Sequence, residues 1–209
     1  MRVAVFGAGA VGSYLGSRLA SARADVHLIA RGAHLEALRD NGLTLITPDG
    51  ISRSPVWATD SPSAIGTVDV ALFCVKSYDT DAAIAQLPPL IGPGTMVVSI
   101  QNGIDNEPKI AAAIGAEHVL GAATYILASI ESPGVVRSGA ARLVVGELRD
   151  GPPSDRVRAF VDVARTGGID ASATSDVRRA KWEKYVLLVA FSAVTAATQL
   201  TIGPIRLSH

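Results

Sequence analysis

The chain of 209 residues contains one cysteine, Cys74. A lone cysteine excludes an intrachain disulfide framework and a zinc site built from several thiolates. His27, His34, His118 and His209 show no metal-ligand spacing, so no metal site is expected. Neither sign of charge is in excess: 19 Lys and Arg face 19 Asp and Glu. Nucleic-acid binding draws on counterion release by surplus basic residues, and a polybasic membrane anchor needs the same surplus. No nucleic-acid or membrane partner is therefore expected. The longest apolar run, residues 185–197, is interrupted by Ser192 and Thr195 and falls short of the ~20 residues that span a bilayer. A strand pattern starts at residue 2, so a secretory signal is not expected. What is present is 48% hydrophobic residues, enough for a sizeable core without staples. A cytoplasmic α/β protein is the resulting expectation.

Short apolar runs alternate with helical patterns through the first half. Strands are expected at 2–6, 25–30, 42–47, 55–59, 68–75 and 95–100, with helices at 13–22, 31–41, 80–87 and 104–114. This alternation predicts a Rossmann-type doubly wound sheet, mainly parallel, with helices on both faces. After residue 118 two strand-like stretches, 119–129 and 135–147, join through Ser132-Pro133-Gly134, a turn signal. They are expected to add antiparallel strands at the sheet edge. A helix opening at Pro152 or Ser154, a last strand at 169–174 and a long helix capped by Ser175 or Asp176 follow. Residues 201–208, with Gly203-Pro204, read as a loop. The expected division is a dinucleotide-binding domain at 1–174 and, at 175–209, the first long helix of an all-helical second domain.

Gly7-Ala8-Gly9-Ala10-Val11-Gly12 follows the first strand and opens a helix. The first glycine permits a tight turn, the second admits a pyrophosphate close to the backbone, and the third lets helix and strand pack together. Helix N-terminal amides would then face the phosphates. The bland alternative is a glycine-rich packing turn, but the strand–turn–helix context and the second strand about twenty residues on favour cofactor binding. The second strand ends in Ala30-Arg31-Gly32, with none of the carboxylates that bond a ribose 2′-hydroxyl. Arg31 suits a 2′-phosphate instead. NADPH is the expected cofactor; a solvated helix-start arginine is the alternative for Arg31.

Several segments resemble the ketopantoate reductase (2-dehydropantoate 2-reductase) family, in that family's order and over essentially the whole chain. They are Phe6 to Gly12, Cys74-Val75-Lys76-Ser77-Tyr78-Asp79-Thr80, Gln101-Asn102-Gly103, Ser132 to Val136 and Lys181-Trp182-Glu183-Lys184-Tyr185. The resemblance implies reduction of ketopantoate to pantoate with NADPH, a step in making pantothenate. It also implies an active site between a dinucleotide domain and a helical second domain.

Each residue so marked has its own physical reading. Lys76 follows a buried strand directly, where ligands bind in open α/β sheets; a snorkelling surface lysine is the alternative. Asn102 before a glycine is first a turn signal, yet its amide suits a nicotinamide carboxamide or a substrate carboxylate. Lys184 lies at the edge of an apolar helix stripe shared with Leu188, Phe191 and Thr195, and partial desolvation there would lower its pKa. The resemblance makes Lys184 the catalytic acid, with Lys76 and Asn102 beside it. A helix-end lysine paired with Glu183 or Asp176 is the alternative, and Lys181 competes for the role. Cys74 reads as a buried strand residue, and Trp57 and Trp182 as packing residues.

The pattern departs from the family in two places. Leu188 and Ser192 stand where the family carries substrate-holding asparagines, which leaves a less polar 2-oxo acid open as substrate. Family members also continue through further helices, bearing a serine and an acidic residue of the substrate site, for which this chain has no counterpart. Residues 186–197 are apolar around the whole helix and want burial on all sides. A homodimer through the 177–197 helix, or a truncated chain, is expected. A dinucleotide-binding module without turnover is the competing function.

Overall fold

Strand β1 (Arg2–Phe6) is buried from Val3 onward, as a strand covered on both faces must be. Helix α1 (Ala10–Ser21), β2 (Asp25–Ile29) and α2 (Gly32–Asn41) follow it, then β3 (Leu43–Thr47), β4 (Gly50–Ser54) and β5 (Trp57–Thr59). Next come β6 (Val70–Phe73), α3 (Thr80–Ile84), β7 (Met96–Ser99) and α4 (Asn106–Ile114). The last elements are β8 (Val119–Ser132), β9 (Val135–Glu147), α5 (Asp155–Thr166), β10 (Asp170–Ala173), α6 (Val177–Thr198) and α7 (Ile202–Leu207). These assignments come from a computed structural model that describes residues 1–207.

The ten strands form one sheet in the order β4-β3-β9-β8-β7-β6-β1-β2-β5, with β10 also on β9. From β5 to β8 all neighbours are parallel. The chain departs from β1 in opposite directions, to β2 on one side and β6 on the other. That reversal opens a crevice at the strand C-termini, where open α/β sheets bind ligands.

The sheet curls around α1, which touches β1, β2, β3, β4, β8 and β9 as well as α5. Tyr14, Leu15 and Leu19 are consequently buried, and so are Ser13 and Ser17. Ser17 Oγ lies 3.2 Å from Ser54 Oγ on β4, at the far end of the curl. A second core fills the other face, where Phe6 and Phe73 meet Ala83 of α3 and Ile110 of α4.

Four local expectations change. Helix α1 begins at Ala10, three residues before the expected Ser13, because Gly9 caps it and Gly12 fits inside its first turn. Strand β4 is not expected from its polar, exposed residues; its signal is the turn Pro48-Asp49 followed by Gly50, which pairs it with β3. The antiparallel pair β8–β9 is not at the edge. β3 binds β9 at Val135 to Arg137 and β10 binds it at Arg142 to Val145, so two strands share one side of β9. Residues Ile202–Leu207 are helical rather than loop. Pro204 sits in the first turn, where its missing N–H costs nothing. Ser208, the end of the expected loop, lies outside the described residues.

Two caps follow the expected residues. Ser154 accepts from the Val157 amide at the start of α5, and Asp176 accepts from the Arg179 amide at 2.7 Å at the start of α6. Val177 seats α6 on the sheet over Gly121 and Gly146, where added Cβ atoms would come within 3.1 and 3.0 Å of its side chain. Beyond Tyr185 the helix leaves that surface. Val186 is 66% exposed, Leu187 49% and Phe191 40%. No helix among the described residues is long and apolar enough to cross a membrane.

Candidate active site

The glycine loop lies at the crevice between β1 and β6. Gly7 has φ +94°, and a Cβ there would come 2.9 Å from the Val75 backbone nitrogen, so no other residue fits. A Cβ at Gly12 would fall 2.4 Å from the Gly7 carbonyl oxygen. A Cβ at Gly9, by contrast, would meet nothing within 4 Å. The bare Gly9 backbone faces an open cavity of about 220 Å³ that reaches Lys76, Asn102 and Thr124. The first-turn amides of Ala10, Val11 and Gly12 have no acceptor within the helix and carry the positive end of the helix dipole. This loop fits a dinucleotide pyrophosphate: it is tight where protein packs and open where phosphate would lie.

A second cavity of about 270 Å³ continues from Gly7, Ala8 and Gly9 past Ala30 to Arg31 and His34. Arg31 is exposed at the N-cap of α2, and exposed Lys76 borders both cavities. Asp79 also borders this end, one carboxylate against two cations. His34 is held on both nitrogens. The Gly134 amide donates to Nδ1 at 3.1 Å, which leaves the proton on Nε2 to be donated to Ser13 Oγ at 3.2 Å. Ser13 in turn donates to the Ala8 carbonyl at 3.0 Å. Burial keeps the imidazole below the usual histidine pKa, against a smaller opposing effect of the Ala8 carbonyl. The neutral ring thus ties the glycine loop to the turn of the β8–β9 hairpin.

Lys184 and Asn102 come together from positions 82 residues apart. Lys184 Nζ donates to Asn102 Oδ1 at 2.6 Å and to Thr124 Oγ1 on β8 at 3.2 Å. It also lies 5.7 Å from the ring centre of Tyr125. Burial lowers the Lys184 pKa to about 8, and the charge of Lys181 adds to the shift. The competing pairings are taken up elsewhere: Glu183 bonds Arg179 and Asp176 caps α6. Lys181 is buried against Glu107, whereas Lys184 is half-buried and reaches Asn102, which lines the cavity at the glycine loop.

The loop bearing Asn102 is held by buried amides. Asn106 Nδ2 donates to the Asn102 carbonyl at 2.8 Å, and Thr80 Oγ1 donates to Asn106 Oδ1 at 3.4 Å. Gln101 Nε2 donates to Thr80 Oγ1 at 2.8 Å and to the Val75 carbonyl, just before Lys76, at 3.0 Å. Thr124, Tyr125, His34 and Asn106 carry no motif, whereas Gln101 and Thr80 lie inside the family-like segments; only the fold brings them together at the site. Cys74 is half-buried one residue past β6 rather than within the strand. Burial pushes its thiol pKa upward, which keeps it protonated. Trp57 and Trp182 are each nearly half exposed, with edge contacts to His27 and Tyr185. Among the described residues no group of three His, Cys, Asp or Glu could hold a metal ion.

Residues 3–150 match the family described as Ketopantoate reductase PanE/ApbA. The chain belongs to the ketopantoate reductase family. It is 37% identical to a 2-dehydropantoate 2-reductase of Halobacterium salinarum, over 97% of this chain and 67% of that one. It is 32% identical to a 2-dehydropantoate 2-reductase of Mesorhizobium japonicum, over 98% of this chain and 69% of the other. The crystal structure of 2-dehydropantoate 2-reductase from Porphyromonas gingivalis superposes with a TM-score of 0.92 at 31% identity, covering 100% of this chain and 76% of that one. Ketopantoate reductase relatives are oxidoreductases, and this chain is an enzyme of that class. It spans about two thirds of the length of the curated relatives it matches.

Proposed function

We propose that this chain reduces ketopantoate to pantoate with NADPH, the reaction type of pantothenate biosynthesis, with Lys184 as general acid. The observation that carries the proposal is the half-desolvated Lys184 ammonium, bonded to Asn102 at one end of a cavity whose other end is the glycine loop. Residues 1–174 serve as the dinucleotide-binding domain, and residues 175–209 begin the helical second domain.

Gly7, Ala8, Gly9, Ala10, Val11 and Gly12 would hold the pyrophosphate. Arg31 would bond the 2′-phosphate, Lys76 would meet cofactor or substrate oxygens, and Asn102 would hold the nicotinamide amide or the substrate carboxylate. When bound, NADPH supplies the hydride for the ketone carbon. Negative charge then develops on the ketone oxygen. Lys184 has two of its three ammonium hydrogens engaged by Asn102 and Thr124, which aims the ammonium and leaves one hydrogen for that oxygen. Proton donation yields the alcohol and a neutral amine. Such general acid catalysis contributes ~10²–10⁴-fold. With a pKa of about 8, Lys184 is charged at neutral pH yet gives up its proton readily.

A second reading rests on Leu188, which is half-buried one turn beyond Lys184 and offers no hydrogen bond. A less polar 2-oxo acid would suit it better than ketopantoate. NADPH oxidation with a panel of 2-oxo acids separates the two readings, and NADPH binding without any turnover would instead favour a binding module. Lys184→Ala is expected to lower turnover about 100-fold or more with NADPH affinity kept; near-normal turnover removes the assignment. Arg31→Ala is expected to weaken NADPH binding and spare NADH, measured by fluorescence titration.

The partner proposed for the exposed flank of α6 is a second copy of the chain. Val186, Leu187, Val189 and Phe191 lie bare along one helix of 22 residues, about 33 Å long. Two such helices side by side would cover each other's apolar surface. Light scattering should give twice the chain mass at micromolar concentration; a monomer there would count against it.

A further inference from the structure

Helix α6 holds the loop-and-helix unit 101–107 at two points, three residues apart on the helix. Lys184 bonds the side chain of Asn102, and Lys181 bonds the carboxylate of Glu107, in the first turn of α4. The two contacts differ in surroundings. The Glu107–Lys181 pair is buried, with side chains 4% and 7% exposed, whereas Lys184 is half-buried and bonds Asn102 beside the glycine-loop cavity. Past these residues most of α6 is exposed, so its bearing over the cleft depends largely on the Val177 seat and on this pair.

We propose that the buried Glu107–Lys181 pair positions Lys184, by fixing the second turn of α6 on the first turn of α4. The pair is also a hydrogen bond, which is directional, so it constrains the rotation of the helix as well as its distance. One turn later, that rotation decides whether the ammonium meets Asn102 and Thr124. Glu107 also balances the charge of Lys181, the cation whose charge acts on Lys184. The groups facing Lys184 are few. Lys181 lies on its own helix, Asn102 on the loop before α4, and Thr124 and Tyr125 on β8. Glu107 stands behind Lys181, and the Arg142 guanidinium lies 5.9 Å from the Tyr125 ring. This role rests on the proposed catalytic part of Lys184.

The two lysine partners predict opposite electrostatic effects, which simple destabilisation would not produce. Glu107→Gln leaves the Lys181 charge unbalanced, so the Lys184 pKa falls. Lys181→Met removes that charge, so it rises. The double variant Glu107→Leu with Lys181→Met replaces the pair by apolar groups, a change buried ion pairs tolerate, and it too raises the Lys184 pKa. The measurement is the pH dependence of Lys184 acetylation by acetic anhydride in the cofactor-free chain, read by mass spectrometry, with circular dichroism to verify folding. The wild-type midpoint should lie at about 8. In the folded variants it should move down for Glu107→Gln and up for the other two. Turnover of Glu107→Gln should fall roughly tenfold or more through misplacement of the ammonium, in kcat rather than in NADPH affinity. Unchanged midpoints in all three folded variants overturn the positioning role. If Lys184→Ala keeps near-normal turnover while the midpoints shift as expected, the catalytic reading of Lys184 fails and the pairing alone stands.

Discussion

Helices α1 and α6 are both apolar, and the fold treats them in opposite ways. Helix α1 is wrapped by a curling sheet, with Leu15 and Leu19 almost inaccessible. Helix α6 is the longer, yet only Val177 and Lys181 are buried among its residues, and most of its later apolar side chains are bare. The difference shows that an apolar helix does not choose its own cover. For α1 the cover comes from strands far along the chain, because β3, β4, β8 and β9 bend back over it. For α6 no described element folds back far enough.

The comparison can be tested from its strongest point downward. Leu15→Ala should cost ~2–5 kcal/mol, since it opens a cavity inside the curl that the surrounding strands cannot close. Denaturant unfolding reads this, and a loss under 1 kcal/mol, the scale of a surface change, would mean that the curl is loose. Gly12→Ala should cost ~1–3 kcal/mol through overpacking against the Gly7 carbonyl, and it should weaken NADPH binding in calorimetry. Val189→Ala, on the bare flank of α6, should change unfolding by no more than about 0.5 kcal/mol in dilute solution. A cost that grows with protein concentration would show that a second copy covers the helix.

A further expectation concerns pH. Lys184 titrates at about 8 in the folded chain against an ordinary lysine value of 10.5. The unfolded chain therefore binds more protons between these values, and this group's contribution to stability rises with pH across that window. Turnover should move the other way and fall as pH passes about 8, because the acid form is lost. Lys184→Met should abolish this rise in stability; a melting-temperature series in pH would detect its persistence.

Much of the parallel half is legible in the residues themselves. The apolar run 2–6, the glycine spacing and the strand C-termini bearing Lys76 and Asn102 mark both the sheet and the crevice. The polar strand β4 is poorly legible, since its place comes from pairing with β3 rather than from burial. The partners of the site are legible only in part. Asn102 and Lys184 each stand out, but Thr124, Tyr125 and His34 sit in ordinary strand and helix sequence and gain meaning by proximity. Lys181 and Lys184 are alike as sequence, in the same short motif; burial against Glu107 tells them apart.

The sequence by itself determined the local conformations and the chemistry available: a glycine loop that only glycine can form, an arginine without a competing carboxylate at the end of β2, and lysines beside apolar positions. These follow from steric and hydrogen-bonding rules that act within a few residues. Only the tertiary structure decided which lysine is buried in an ion pair and which faces the cleft. It also decided that α1 is enclosed while α6 is bare. Both depend on contacts between residues tens of positions apart, which the closing of the sheet alone brings within reach.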